Sequence, residues 1–395
     1  MSDAFLKRPR IQSIDLLRGL VMILMTLDHT RDYFHHDAFF YDPLDLTQTT
    51  PLIFLTRFVT HFCAPVFVFL AGTSAYFTGQ RKTKKELSNW LIKRGLWLIV
   101  VELTIIKLAW NFKLDYNIIV VQVIWALGAG MITLAGFIHL RKYLALSIAF
   151  AMIAGHNLLD GFHPGGSVGI KTLWNILHEF GGTNLGPVRF FVAYPVIPWL
   201  GVMLTGYYFG ELYRKEYDPR RRQKVLLYLG LGMIVLFTLL RSGNFYGDPA
   251  PWKVQKNFIY SFLSFFNVTK YPPSLQYLLI TIGPSIVLLS ITEKLNLNRL
   301  KPVVIIGRVP MFWYIVHIYL IHLTAAIAAM LTGYSFSDMI IDFWVSYQPG
   351  LKGYGFNIWG VYLFWAGICL FLYPIAYWYN EYKSSNRDKW WLTYL

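Results

Sequence analysis

The sequence predicts an all-α polytopic membrane protein, a bundle of about 10 transmembrane helices (10–11) with its N- and C-termini cytoplasmic. Three observations carry this. The 395 residues are 55% hydrophobic and only 14% charged, against about 25% charged in soluble domains. Ten apolar stretches approach the ~20 residues that a helix needs to cross about 30 Å of hydrocarbon. The cations concentrate on alternate connecting segments. No polar linker or Gly/Ser-rich hinge interrupts the chain, so 1–395 is read as a single transmembrane domain.

The expected spans are 13–34, 52–78, 94–112, 117–139, 142–160, 192–213, 225–241, 274–292, 303–331 and 358–380. The runs are too long and too weakly alternating for barrel strands, and an open sheet cannot sit in lipid. Span 13–34 follows Lys7, Arg8 and Arg10 like a signal peptide, but Asp28, His29, Arg31 and Asp32 come next without a small-x-small cleavage site, so it is read as a retained helix. Pro65 should kink span 52–78. Gly128, Gly130 and Gly136 in span 117–139, and Gly206 and Gly210 in span 192–213, should let helix backbones approach closely. Trp390 and Trp391, beyond the last span, suit an interfacial belt.

The net charge is +15, and its placement decides what it means. The inner segments hold 23 Lys and Arg, including Arg81-Lys82-Thr83-Lys84-Lys85 and Arg220-Arg221-Arg222-Gln223-Lys224, against 9 at the outer ends and loops. That asymmetry is the positive-inside signature, so these runs mark topology and no nucleic-acid partner is expected. The same clustered cations also suit an anionic ligand at the inner mouth.

Charged groups at membrane depth cost at least ~2.5–3.5 kcal/mol each, so they face the protein interior and usually mark a site. They gather first in Asp15-Leu-Leu-Arg18-Gly19 and Asp28-His29-Thr-Arg31-Asp32. Asp15 and Arg18 meet at i,i+3 spacing. Arg18 and His29, eleven apart, share a helix face about 16 Å from each other along the axis. Asp28 or Asp32 is expected to hold the His29 tautomer and stabilise its imidazolium, as suits a general base. On the second span Arg57 and His61 lie one turn apart and are read as partners of that acidic cluster, in an ion-pair network or as stabilisers of a developing oxyanion. Glu102 and Lys107, five apart, are expected to have different partners and form no site. In the ninth span Arg308 lies near the inner entry, Tyr314 and His317 share a face, and His322 is turned about 140° away.

No HxxxH or HExxH pair occurs, and Cys63 and Cys369 lie in apolar segments, so no metal is expected. Hydrolase-elbow, Walker and GxGxxG signatures are also missing.

The first-helix pattern of Arg18 with His29 eleven residues later resembles the motif of the transmembrane acyltransferase superfamily. Thr60-His61-Phe-Cys-Ala-Pro65 with its Phe-Leu-Ala-Gly72 ending, Pro195-Val-Ile-Pro198-Trp199-Leu-Gly201 and Gly307-Arg308-Val-Pro310 make the chain similar to bacterial members of the heparan-alpha-glucosaminide N-acetyltransferase-like family, most strongly over 11–78 and 303–322. The resemblance implies an acyl-CoA-dependent O- or N-acyltransferase of the bacterial plasma (inner) membrane. Acetyl-CoA is the implied donor, and an amino sugar or hydroxyl of a glycan on the outer side the acceptor. The lipid bilayer and a second copy of the chain are the further expected partners. By carry-over His29 would be the base or transient acyl carrier and Arg18 would orient the donor; the residues themselves add Asp28 or Asp32 as helper of His29 and Arg57 or His61 at the reacting carbonyl. With Arg18, the same reading of the residues places Asp15, Arg308, His317 and Tyr314 at the donor. In the lysosomal member the functional histidine lies in the loop after the first helix, where this chain has His35 and His36, so the role stays open among these histidines. The rival reading is a non-enzymatic proton-coupled transporter or flippase built on the same Asp/His/Arg cluster.

Overall fold

The structure, a computed structural model, describes residues 11–386 and 388–393; Lys7, Arg8 and Arg10 lie outside them. It is 71% helical. In chain order the helices are α1 (Gln12–Phe34), α2 (Pro51–Thr60), α3 (Cys63–Gly79), α4 (Lys84–Val101), α5 (Lys107–Asn111), α6 (Val123–Phe137), α7 (Lys142–Gly155), α8 (Val168–Leu177), α9 (Val196–Phe209), α10 (Pro219–Ser242), α11 (Phe258–Phe266), α12 (Leu275–Thr292), α13 (Lys301–Arg308), α14 (Pro310–Leu331) and α15 (Ile358–Ser385). Among the described residues six helical segments are long and apolar enough to cross a membrane: 51–79, 142–159, 219–242, 275–292, 310–331 and 358–385. α1 has the length, 23 residues, but carries too many charges to qualify by composition.

The centre of the bundle is α1, which packs against α2, α3, α12, α13, α14 and α15. Sixteen of its residues are buried, Asp15, Asp28 and Arg31 among them, so its charges face protein. α10 and α15 instead present large apolar side chains outward, including Leu229, Val235, Leu239, Leu363, Leu370 and Phe371. Such faces are stable against hydrocarbon and not against water. Glycines set the tightest crossings. A Cβ on Gly19 would strike the Val303 carbonyl, and one on Gly307 the Asp15 carbonyl; Gly72 and Gly206 stand in the same relation across α3 and α9. Gly128 and Gly130 are packed as expected, whereas a Cβ on Gly136 would meet nothing within 4 Å, which corrects its reading as a packing residue.

Other expected spans are redrawn by local chemistry. Span 52–78 breaks at His61–Phe62 into α2 and α3, and 303–331 breaks at Val309 into α13 and α14, because Pro310 has no N–H to continue the first helix. Span 94–112 begins earlier, at Lys84, where Thr83 and Glu86 form a capping box. Span 117–139 opens as a strand: the β-branched run Ile118–Val121 (β1) pairs in parallel with β3 (Val188–Val192), which pairs antiparallel with β2 (Gly181–Leu185). The β2–β3 hairpin turns at Gly186, held at φ 61°. This small sheet lies outside the all-helical expectation.

Candidate active site

Adjacent helical residues point about 100° apart, so Asp28 and His29 face different neighbours. Asp28 turns to α2. Nη1 of Arg57 is 2.7 Å from both carboxylate oxygens, Oγ1 of Thr60 donates to Oδ1 at 2.9 Å, and Nη2 of Arg31 lies 2.8 Å from Oδ1. Arg31 also holds Asp32 at 2.7 Å. This buried network fastens the end of α1 to α2.

His29 turns to α14. Its Nδ1 is 2.8 Å from Nε2 of His317, with the two ring planes 7° apart. On the other side of His317, Nδ1 is 2.8 Å from the Trp313 carbonyl. A carbonyl only accepts, so Nδ1 of His317 carries the proton. Neutral His317 then offers an unprotonated Nε2, which accepts from Nδ1–H of His29 and leaves the Nε2 lone pair of His29 available. His29 is partly exposed while His61 and His317 are fully buried. The edge of the pair is walled by Trp110, 4.7 Å from His29 between ring centroids, and by Tyr314 at 6.2 Å.

The carboxylate expected beside His29 is therefore a histidine. Among the described residues neither Asp28 nor Asp32 hydrogen-bonds the imidazole, because both are held by arginines on another face of α1. Tyr314 and His317, grouped in the sequence reading with the donor-binding positions, stand against His29. His322 points away, its two ring nitrogens 2.8 and 2.7 Å from the carbonyls of Ala109 and Met339.

His61 occupies the α2–α3 break. Pro65 cannot donate to the carbonyl four residues back, and that carbonyl, of His61, accepts instead from the Tyr277 hydroxyl at 2.8 Å. Neither ring nitrogen of His61 has a hydrogen-bond partner among the described residues. Lys270, on the connection between α11 and α12, is also buried, within electrostatic reach of Asp28, His29 and His61. The sequence reading missed Lys270 and Trp110: one sits in a loop and the other at the end of α5, with no local motif to mark either.

The other end of α1 gathers a second group. Nη1 of Arg18 donates to Asp15 at 3.1 Å and to the Gly307 carbonyl at 3.2 Å, and Nη2 to Ser74 at 3.0 Å. Nε of Arg308 lies 3.7 Å from Asp15. Arg18 thus clips α1 to α3 and α13, three turns from His29. Glu102 and Lys107 do have different partners, the Gln122 N–H at 2.9 Å and the Ile118 carbonyl at 2.8 Å. A π-turn runs over Glu102–Ile106 between them, and both border one narrow crevice with Trp110, Gln122, Phe343 and Trp344. His35 and His36 lie past the end of α1 on a separate, open hollow with Thr50 and Phe356.

Apolar outward faces around a charged, histidine-bearing centre define an integral membrane protein with a buried polar site. The family model described as heparan-alpha-glucosaminide N-acetyltransferase, catalytic, matches residues 10–238, more than half of the sequence, and the chain belongs to that family. It is accordingly a membrane acetyltransferase by family. No curated protein matches it. The matched region holds His29, Asp28, Arg57 and His61, and ends before His317.

Proposed function

We propose that this protein moves an acetyl or acyl group from acyl-CoA on the cytoplasmic side to an amine or hydroxyl of a glycan on the outer side of a bacterial plasma membrane. The observation that carries the reading is the oriented His29–His317 pair, which supports an unprotonated Nε2 on the one partly exposed histidine of the group. In this reading Nε2 of His29 takes the proton of the acceptor N–H or O–H as that atom attacks the thioester carbon. The carbonyl oxygen gathers negative charge close to the Lys270 and His61 region, then the C–S bond breaks and the proton passes to the departing thiolate. Asp28, Asp32 and Arg57 act through position, by fixing the His29 end of α1. Arg18, Asp15 and Arg308 form the cytoplasmic mouth for the donor, with Tyr314 and His317 beside the reacting end. The single domain, the ten spans and the cytoplasmic termini belong to the same proposal and rest on the asymmetry of Lys and Arg.

The test combines coenzyme A binding with acetyl transfer to a glucosamine-type acceptor in proteoliposomes. Wild type should bind coenzyme A, and His29→Ala should lose transfer by about 10²–10⁴-fold while keeping its elution volume and helical content. Full transfer in His29→Ala, with loss in His35→Ala or His36→Ala, would move the role to the loop. No binding at millimolar coenzyme A, with proton-coupled uptake into vesicles, would replace the enzyme by a transporter.

A further inference from the structure

Distant parts of the sequence meet at a second polar cluster that the acyl-transfer reading does not use. His156 opens the turn that follows α7, Asp160 lies one turn further on, and His178 caps the end of α8. One nitrogen of each histidine and one oxygen of Asp160 all lie within 4.8 Å of one another. We infer that His156, Asp160 and His178 bind a divalent transition metal ion, with Zn²⁺ the favoured occupant.

The ligand set is two imidazoles and one carboxylate, which suits Zn²⁺ and its neighbours and not the oxygen-seeking Mg²⁺ or Ca²⁺. Nε2 of His178 and Oδ1 of Asp160 are 3.2 Å apart, close to the roughly 3.3 Å edge of a tetrahedron with bonds of about 2.0–2.1 Å. His156 is 1% and His178 3% exposed. Neither ring nitrogen of His156 makes a hydrogen bond of normal geometry. Buried imidazole nitrogens without partners are rare in folded proteins unless a ligand completes them. The surroundings suit such a ligand. The Pro273 carbonyl lies within reach of the His156 ring as the outside acceptor that a ligating histidine normally has. Asn157 donates to Oδ2 of Asp160 at 2.8 Å, which leaves Oδ1 on the histidine side.

An ion here would join the end of α7 to the end of α8 at a point that bears on the candidate active site. Phe180, two residues after His178, stacks on Tyr271 at 5.3 Å, and Tyr271 adjoins the buried Lys270. The metal would hold together the two chain ends that carry Phe180 against Tyr271, next to Lys270.

The test uses untagged full-length protein in detergent, stripped with chelator and titrated with Zn²⁺ and with Co²⁺ as the spectroscopic probe. Wild type should take up one Zn²⁺ per chain, show the intense visible bands of four-coordinate Co²⁺, and unfold at higher temperature with metal. His156→Ala and His178→Ala should weaken binding by about tenfold or more. Asp160→Asn, nearly the same shape, should do so with an unchanged elution volume, and His163→Ala, which removes an exposed histidine paired with Glu179 outside the cluster, should leave binding as in wild type. Wild type that takes up no more metal than the His156→Ala/His178→Ala double variant, or binding untouched by these substitutions, would overturn the assignment.

Discussion

Nδ1 of His29 and Nε2 of His317 lie 2.8 Å apart across the α1–α14 contact, and the Trp313 carbonyl at 2.8 Å orients the second ring from behind. His317 thereby fills the place at His29 that sequence spacing assigns to Asp28 or Asp32. A neutral imidazole in that place fixes the tautomer without adding a buried negative charge.

His317 is thus a positioning residue. His317→Ala should lower kcat for acetyl transfer by about 10–100-fold, the loss of one orienting contact, with KM for the donor little changed. His317→Gln, whose side-chain carbonyl can still accept from His29, should recover part of the rate. A variant whose loss falls wholly on the donor KM would make His317 a binding group instead.

The Asp28–Arg57 pair should matter for folding more than for chemistry. Asp28→Asn strands Arg57 and Arg31 near a neutral amide, and breaking a buried pair costs about 3–5 kcal/mol. Thermal unfolding in detergent should show a large drop, relieved in part when Arg57→Gln is added. Additive losses in the double variant would mean that the two residues are not coupled.

The Gly307 contact can be tested against a neighbouring control. Gly307→Ala drives a methyl into the Asp15 carbonyl and should cost about 1–3 kcal/mol or more as overpacking, whereas Gly136→Ala meets open space. Unfolding midpoints should fall for the first and hold for the second.

His35, just past α1, is pushed down to about 4 by burial. An unfolded histidine takes its proton near 6.5, so the unfolded state binds more protons between those values. The stability that neutral His35 contributes is complete above pH 6.5, is lost as pH falls toward 4, and changes no further below. His35→Gln should flatten that part of the stability profile, measured by unfolding at each pH. An unchanged slope would show that His35 titrates normally.

Much of the site was legible in order along the chain. Asp15 with Arg18 and Arg57 with His61 follow helical spacing, and positions so spaced stay together in any fold that keeps the helix. The irregularity that Pro65 imposes on span 52–78 was likewise visible, because proline acts on its own chain. The partner of His29 was not, since it lies on a helix hundreds of residues away. Lys270 looked like an ordinary loop cation until the connection before α12 folded inward. The π-turn at Glu102 hid in a run that reads as plain helix.

The sequence by itself determined the membrane class, its mainly helical make-up and the concentration of ionisable groups on one central helix, because hydrophobic length and charge cost act locally. Only the tertiary structure decided which groups meet: His317 with His29, Arg57 with Asp28, and His156 with Asp160 and His178. Those pairings depend on which faces of separate helices are turned together, and close glycine crossings such as Gly19 on α13 choose the faces.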